Sequence, residues 1–150
     1  LAAAIEMGID PTVALAAMGT VRAPAGRFSI GRFGDNRARL LLAKNPAGWA
    51  ESLLVMASDP VVLAIDSAIA DGTDVSWLWD VEFERLAGRH VICTGPRAQD
   101  LAVRLSYAEV DHEVVDSLRE AMARPYEGTV DVLATYTAFL NLCKMGGVEW

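Results

Sequence analysis

Short apolar runs alternate with polar breaks along the chain, and the spacing within each run predicts the element it forms. The Ala-rich opening, residues 1–7, reads as a helix that Gly8 can close. Asp10-Pro11 restarts a helix as N-cap and first-turn proline, ending at Gly19. Pro24-Ala25-Gly26 breaks the chain, and residues 28–30 and 38–43 read as strands joined through the turn Gly34-Asp35-Asn36. Pro46 opens a helix to about Met56, and Asp59-Pro60 is a turn. Val61-Val62-Leu63-Ala64-Ile65 is apolar throughout, as a strand buried on both faces is, and residues 90–94 read as the next buried strand. Helices are expected over 97–107, over 117–124 behind an Asp116 cap, and over 138–145, with strands at 113–115 and 130–134. Residues 66–80 break the rhythm: Asp71-Gly72-Thr73-Asp74 is a turn signature, and a short helix capped by Asp74 is expected to follow it.

This alternation with short connections predicts an α/β fold: a mostly parallel sheet with helices on both faces, residues 61–65 and 91–94 being adjacent or near-central strands. With 150 residues, 53% of them hydrophobic, the chain can bury a real core, which excludes disorder. Its longest strictly aliphatic run is residues 61–65, far short of the roughly 20 residues a spanning helix needs. A net charge of −7 argues against general nucleic-acid binding, which needs clustered Lys and Arg. Two cysteines, Cys93 and Cys143, make neither a disulfide scaffold nor a zinc site, and the expected compartment is reducing. The chain opens on Leu1 with no basic leader segment, so it is expected to be a piece of a longer protein with no signal peptide.

Charge is distributed unevenly. Arg22, Arg27, Arg32, Arg37, Arg39 and Lys44 are opposed in their stretch only by Asp35, whereas no basic residue lies between Asp59 and Glu84. The plain reading is two solvated faces of one domain; the functional reading sets the basic stretch against an anionic ligand and gives the acidic stretch a working carboxylate. Catalytic motifs are otherwise sparse. There is no G-x-x-x-x-G-K-[ST] loop, and the glycines from Gly26 to Gly34 have the wrong spacing for a phosphate cradle. Neither His90 nor His112 pairs with a nucleophile by any visible pattern. Trp77 and Trp79 flank carboxylates and read as core or as a partner interface.

Two segments, Arg39-Leu40-Leu41-Leu42-Ala43-Lys44-Asn45-Pro46-Ala47-Gly48 and Asp71-Gly72-Thr73-Asp74-Val75-Ser76-Trp77-Leu78-Trp79-Asp80-Val81-Glu82-Phe83-Glu84, resemble signature stretches of the MurT C-terminal domain family. Residues 97–105 and 134–138 fit as well, so the resemblance covers nearly the whole chain; Ile65-Asp66-Ser67-Ala68 departs from it where an Asn-rich stretch is expected. The resemblance implies a Rossmann-like Mur ligase C-terminal domain over residues 26–150, preceded over 1–25 by the tail of the Mur ligase central domain or linker helices.

The function implied by the resemblance is amidation of the D-glutamate of lipid II in peptidoglycan synthesis, carried out in the cytoplasm at the inner face of the membrane. The Mur-ligase-like subunit binds ATP and Mg²⁺ through a phosphate loop outside this chain and activates the α-carboxyl. A GatD-type glutamine amidotransferase supplies ammonia, and an acid of the present domain completes that partner's Cys-His triad. Asp74 is the expected acid, with Asp71 and Asp80 as runners-up. Lys44 and Asn45 are expected at the nucleotide and substrate cleft, Trp77 and Trp79 at the partner interface, and no residue at a metal. Two alternatives stay open: a non-catalytic docking module, or a stand-alone nucleotide-binding domain.

Overall fold

The structure, a computed structural model, describes residues 1–21 and 28–148. The expected break at Pro24-Ala25-Gly26, the boundary at residue 25, and Arg22 and Arg27 lie outside the described residues. In chain order come helices α1 (Ala2–Glu6) and α2 (Pro11–Thr20), strands β1 (Phe28–Phe33) and β2 (Asn36–Leu42), α3 (Pro46–Val55) and β3 (Val61–Ala64). Two 3₁₀ segments, Ser76–Asp80 and Phe83–Leu86, precede β4 (Val91–Thr94), α4 (Ala98–Tyr107), β5 (His112–Val114), α5 (Leu118–Ala123), β6 (Thr129–Ala134) and α6 (Tyr136–Met145).

The strands form one sheet in the order β1-β2-β6-β3-β4-β5. Among the described residues only the β1–β2 hairpin is antiparallel; the other four pairings are parallel. As expected, β3 and β4 are neighbours, in register from Val61 opposite Val91 to Ala64 opposite Thr94. Alternate side chains along them feed two cores. Leu63, Val91 and Cys93 pack with Trp49 and Leu53 of α3, Leu101 and Leu105 of α4, and Phe83. Val62, Ala64 and Ile92 pack with Met122 of α5 and Phe139 and Leu142 of α6. This two-faced cover is why both strands are buried at every position.

Several local signals act as read. Asp10 Oδ1 accepts the amides of Thr12 (2.9 Å) and Val13 (3.2 Å) at the start of α2. Gly34 takes the hairpin turn with φ +61. Other boundaries need correction. Helix α2 runs through Gly19 to Thr20. The cap of α5 is Ser117, whose hydroxyl accepts the Glu120 amide at 3.1 Å, not Asp116. The glycines between Gly31 and Gly34 lie in a strand and its turn, and a Cβ on Gly31 would press on the Phe33 ring, so no phosphate cradle forms there. Helices α1 and α2 bury only Ala14, leaving Ile5, Val13, Leu15 and Met18 exposed.

Gly95 has a conformation no other residue fits. It turns the chain from β4 into α4 at φ +95, and a Cβ there would collide with the Ile65 carbonyl oxygen. That oxygen also accepts the Arg97 amide at 3.2 Å. Gly95→Ala should therefore destabilise by about 2 kcal/mol or more, since positive φ and a backbone clash act together. Urea denaturation checks it; a change under about 0.5 kcal/mol would show that the turn yields without strain.

Candidate functional site

The carboxyl ends of parallel strands are where α/β sheets bind ligands, and the segment from Asp66 to Asp80 crosses that edge. Asp66 follows β3, its amide donating to Thr135 Oγ1 beyond β6 at 2.8 Å. Asp71 Oδ1 accepts the Thr137 amide of α6 at 3.0 Å, while its other oxygen is buried without a hydrogen-bond partner. Asp71 therefore faces inward and pins the Gly72 turn to α6. Asp74 lies beyond that turn and is exposed. Its Oδ1 accepts the Ser76 amide at 2.8 Å, and its Oδ2 accepts the Ser76 hydroxyl at 3.0 Å.

The short helix expected after Asp74 is the 3₁₀ segment Ser76–Asp80. Its formal N-cap is Val75, so Asp74 orients the turn without sitting in the cap itself. The Ser76 amide and then its hydroxyl lower the Asp74 pKa, and Arg97 adds to this at a distance. Arg97, from outside the acidic stretch in sequence, thus brings a positive charge near it. Arg97 is hydrogen-bonded to Asp100 at 2.7 Å, so it attends Asp74 without bonding to it. The result is an ionised, oriented, accessible carboxylate in a groove of ≈ 420 Å³ lined also by Ser76, Trp79, Arg97 and Val103.

The tryptophans divide. Trp77 packs on buried Trp49 with ring centroids 5.5 Å apart and belongs to the core. Trp79 is exposed, 5.2 Å from the Tyr107 ring. Asp80 ends the 3₁₀ segment and is exposed. Lys44 is exposed, its Nζ 4.0 Å from the centre of the Tyr136 ring. Asn45 caps α3, its Oδ1 accepting the Gly48 amide at 2.9 Å. Arg39 is not offered to a ligand: Nε meets Asp131 Oδ1 at 2.6 Å and Nη2 meets the Val55 carbonyl at 2.6 Å. Arg37 is exposed.

Sequence reading missed a second groove of ≈ 500 Å³ on the other side of the same edge, lined by Asp66, Gly95, Ser117, Asn141 and Lys144. Its signal was available, since Asp66 and Gly95 each follow a fully buried strand. At the opposite end, His90 lies between Asp111 (Nδ1 to Oδ2, 2.6 Å) and Glu113 (Nε2 to Oε1, 3.0 Å), and Glu113 also pairs with Arg124. Arg124 and then His90 hold the Glu113 carboxyl at about 2. Glu113 and Asp111 in turn raise the His90 pKa. A raised folded pKa gives stability that is complete below about 6.5, the unfolded value, and is lost as pH rises through the folded one. Thermal melts across that window should show the loss, and His90→Gln should flatten it; an unchanged slope in the variant would assign it to other groups.

No thiol here serves as a nucleophile. Burial raises Cys93 to about 12 and Cys143 to about 11. Among the described residues no three His, Cys, Asp or Glu side chains group as metal ligands.

The profile of the MurT ligase C-terminal family matches residues 42–139, which include the Asp71–Glu84 block and the edge that carries it. The chain belongs to the MurT ligase C-terminal family. Subunit MurT of lipid II isoglutaminyl synthase (glutamine-hydrolyzing) from Staphylococcus aureus (strain COL) is 31% identical over 150 residues, covering 93% of this chain and 34% of that protein. The subunit of the same name from Streptococcus pneumoniae (strain ATCC BAA-255 / R6) is 29% identical over 152 residues, with the same coverage of each chain. This member thus spans about a third of the length of those relatives. Among solved structures, UDP-N-acetylmuramate-alanine ligase MurC from Thermotoga maritima superposes with a TM-score of 0.61 at 16% identity, over 95% of this chain and 34% of that one. The fold is thus shared with a segment of that ligase.

Proposed function

We propose that this chain is the C-terminal domain of a ligase-like subunit that, with a GatD-type glutamine amidotransferase, amidates the D-glutamate of lipid II to D-isoglutamine. The observation that carries this is Asp74: an exposed carboxylate, oriented by Ser76, in the sequence block shared with the MurT family. The relatives are named glutamine-hydrolyzing. Both cysteines of the present chain are buried and protonated, which supports a nucleophile supplied by another subunit.

On this reading Asp74 accepts the N–H of the partner's triad histidine. That bond fixes the histidine tautomer and stabilises the imidazolium formed as the partner's cysteine gives up its proton. Glutamine is hydrolysed to glutamate and ammonia, and the ammonia goes to the ligase half. ATP and Mg²⁺ would bind the longer protein and supply the phosphoryl group that activates the α-carboxyl. Within this chain, Lys44 would bring positive charge to that cleft. Residues 1–25 would be the tail of the Mur ligase central domain, which would cover the exposed apolar side chains of α1 and α2. No described helix is long and apolar enough to cross a membrane. The work would be done in the cytoplasm, at the inner membrane face where the lipid-linked substrate lies.

The deciding experiment compares Asp74→Asn with the parent in the full-length subunit bound to its glutaminase. Loss of glutamine hydrolysis with an intact complex supports the triad role. Activity that simply tracks complex formation supports a docking module instead.

A further inference from the structure

Much of the basic stretch folds into the β1–β2 hairpin, and the two faces of that hairpin differ. Gly31 and Phe33 are buried, Phe33 sharing a core with Leu142 of α6. Alternation turns Phe28, Ile30 and Arg32 to the opposite face, where Phe28 is 56% exposed, Ile30 51%, and Arg32 is exposed as well. Register sets Ile30 opposite Arg39 and Arg32 directly opposite Arg37. The Arg32 amide turns away from β2 and donates to the Gly146 carbonyl at 3.0 Å. The two arginines therefore form a non-hydrogen-bonded pair, the kind whose side chains stand closest, and like charges so placed repel. Among the described residues neither has a carboxylate in ion-pair range. Asp35, in the turn, is the hairpin's only acid. Arg39 is neutralised by Asp131 and holds the Val55 carbonyl at 2.6 Å, so the bare apolar surface continues to Val55, 45% exposed at the end of α3.

We infer that this face of the hairpin is a contact surface for an anionic lipid bilayer, with Arg32 and Arg37 on lipid phosphates and Phe28 and Ile30 in the layer beneath them. Two observations select that occupant. The first is the repelling pair of guanidinium groups with no acid to relieve it; phosphate oxygens relieve it, and Arg binds them bidentately. The second is the bare apolar side chains on the same face, which gain nothing from a dissolved anion. At a bilayer they enter the headgroup boundary while the arginine stems reach up to the phosphates. The choice of a bilayer over other anionic surfaces rests on the proposed function, whose substrate is lipid-linked. The net charge of −7 opposes approach of the chain as a whole. At physiological salt, charges beyond roughly 8 Å are screened, so the local sign decides. Two arginines and two apolar side chains give a shallow, reversible contact that orients the subunit without anchoring it.

The test sediments the full-length subunit, bound to its glutaminase, with vesicles of phosphatidylglycerol and phosphatidylcholine in equal parts, and with vesicles of phosphatidylcholine alone. The complex should bind the mixed vesicles at low salt, release them as salt is raised, and ignore the neutral ones. Arg32→Ala with Arg37→Ala should weaken that binding by about thirtyfold. Its melting temperature should be no lower than the parent's, because a repulsion is removed. Ile30→Ser should weaken binding severalfold. Arg119→Ala removes an exposed charge from α5, which packs on the other face of the sheet, and should leave binding within twofold. A parent complex that ignores the mixed vesicles overturns the surface, as does unchanged binding in the double variant or equal weakening by Arg119→Ala. Should Ile30→Ser instead split a dimer of the subunit and spare vesicle binding, the face belongs to a second copy and the inference fails. Amidation of lipid II dispersed in detergent keeps the two readings apart. It should be unchanged in every variant, and its absence in the parent would remove the proposed function while vesicle binding stood.

Discussion

Asp74→Asn, in the assembled complex, should lower kcat for glutamine hydrolysis by about 10⁴ and leave ammonia-fed amidation running. The size follows from what a triad acid does. An amide in place of the carboxylate lets the histidine take the wrong tautomer, and the nucleophile then loses its base. The selectivity follows from position: Asp74 makes its two hydrogen bonds to Ser76 alone, so little else depends on it. An Asn can still accept from the Ser76 amide, and the fold should persist. Glutamate release and amidated lipid II, measured with glutamine and then with ammonium as nitrogen source, separate the outcomes. Equal loss of both routes would place Asp74 in the ligase site or the fold. Loss of neither would pass the role to Asp80, since the carboxylate of Asp71 is turned onto α6.

The second large effect is on stability, and it concerns Arg39. Arg39 and Asp131 are opposite each other across β2 and β6, and Asp131 is 2% exposed. Burial works to raise the Asp131 carboxyl, but Arg39 and the amides of Ala57 and Ser58 outweigh it and leave it lowered. Those amides lie at 2.6 and 3.0 Å, and Arg39 also holds the Val55 carbonyl, so one ion pair joins β2, β6 and the end of α3. Arg39→Ala would strand a buried charge, which typically costs about 3–5 kcal/mol. Because Arg39 is partly exposed, about 3 kcal/mol is expected, a fall in Tm on the order of 10 °C for a domain of this size. Arg37→Ala, at an exposed position two residues away, should stay within about 0.5 kcal/mol. Equal melting curves for the two variants would show that the pair adds nothing. The lowered carboxyl also sets a direction with pH: the stability it gives is present above its ordinary pKa and is lost as pH falls through the folded value.

These two sites mark what the sequence could and could not reveal. Element type was legible, because it is written in short-range periodicity. The unbroken apolar run of β3 announced a strand covered on both faces, and Asp10-Pro11 announced a helix start. The Asp74 block was legible through resemblance alone; nothing in its spacing says that Asp71 faces inward while Asp74 faces out. That difference is set by where α6 and α4 happen to lie. The Arg39–Asp131 pair was invisible for the same reason, being 92 residues apart in sequence. Trp77 and Trp79 looked alike because each lies between Leu78 and a polar residue. In the 3₁₀ segment, two residues of separation turn one toward Trp49 and the other toward Tyr107.

Strand order carries a consequence for how the chain is made. β6, synthesised after the other five described strands, lies between β2 and β3, with Leu40 opposite Val132 on one side and Leu63 opposite Leu133 on the other. Until it emerges from the ribosome, the hairpin and the β3-β4-β5 half have no strand to join them, and apolar edges on both sides of the gap stand open. Translation therefore delivers two unfinished halves and then the wedge that unites them. A chain stopped before residue 129 holds most of the sequence yet cannot close its sheet. Such a chain belongs to the class of intermediates that chaperones bind, with exposed apolar surface and unpaired strand edges.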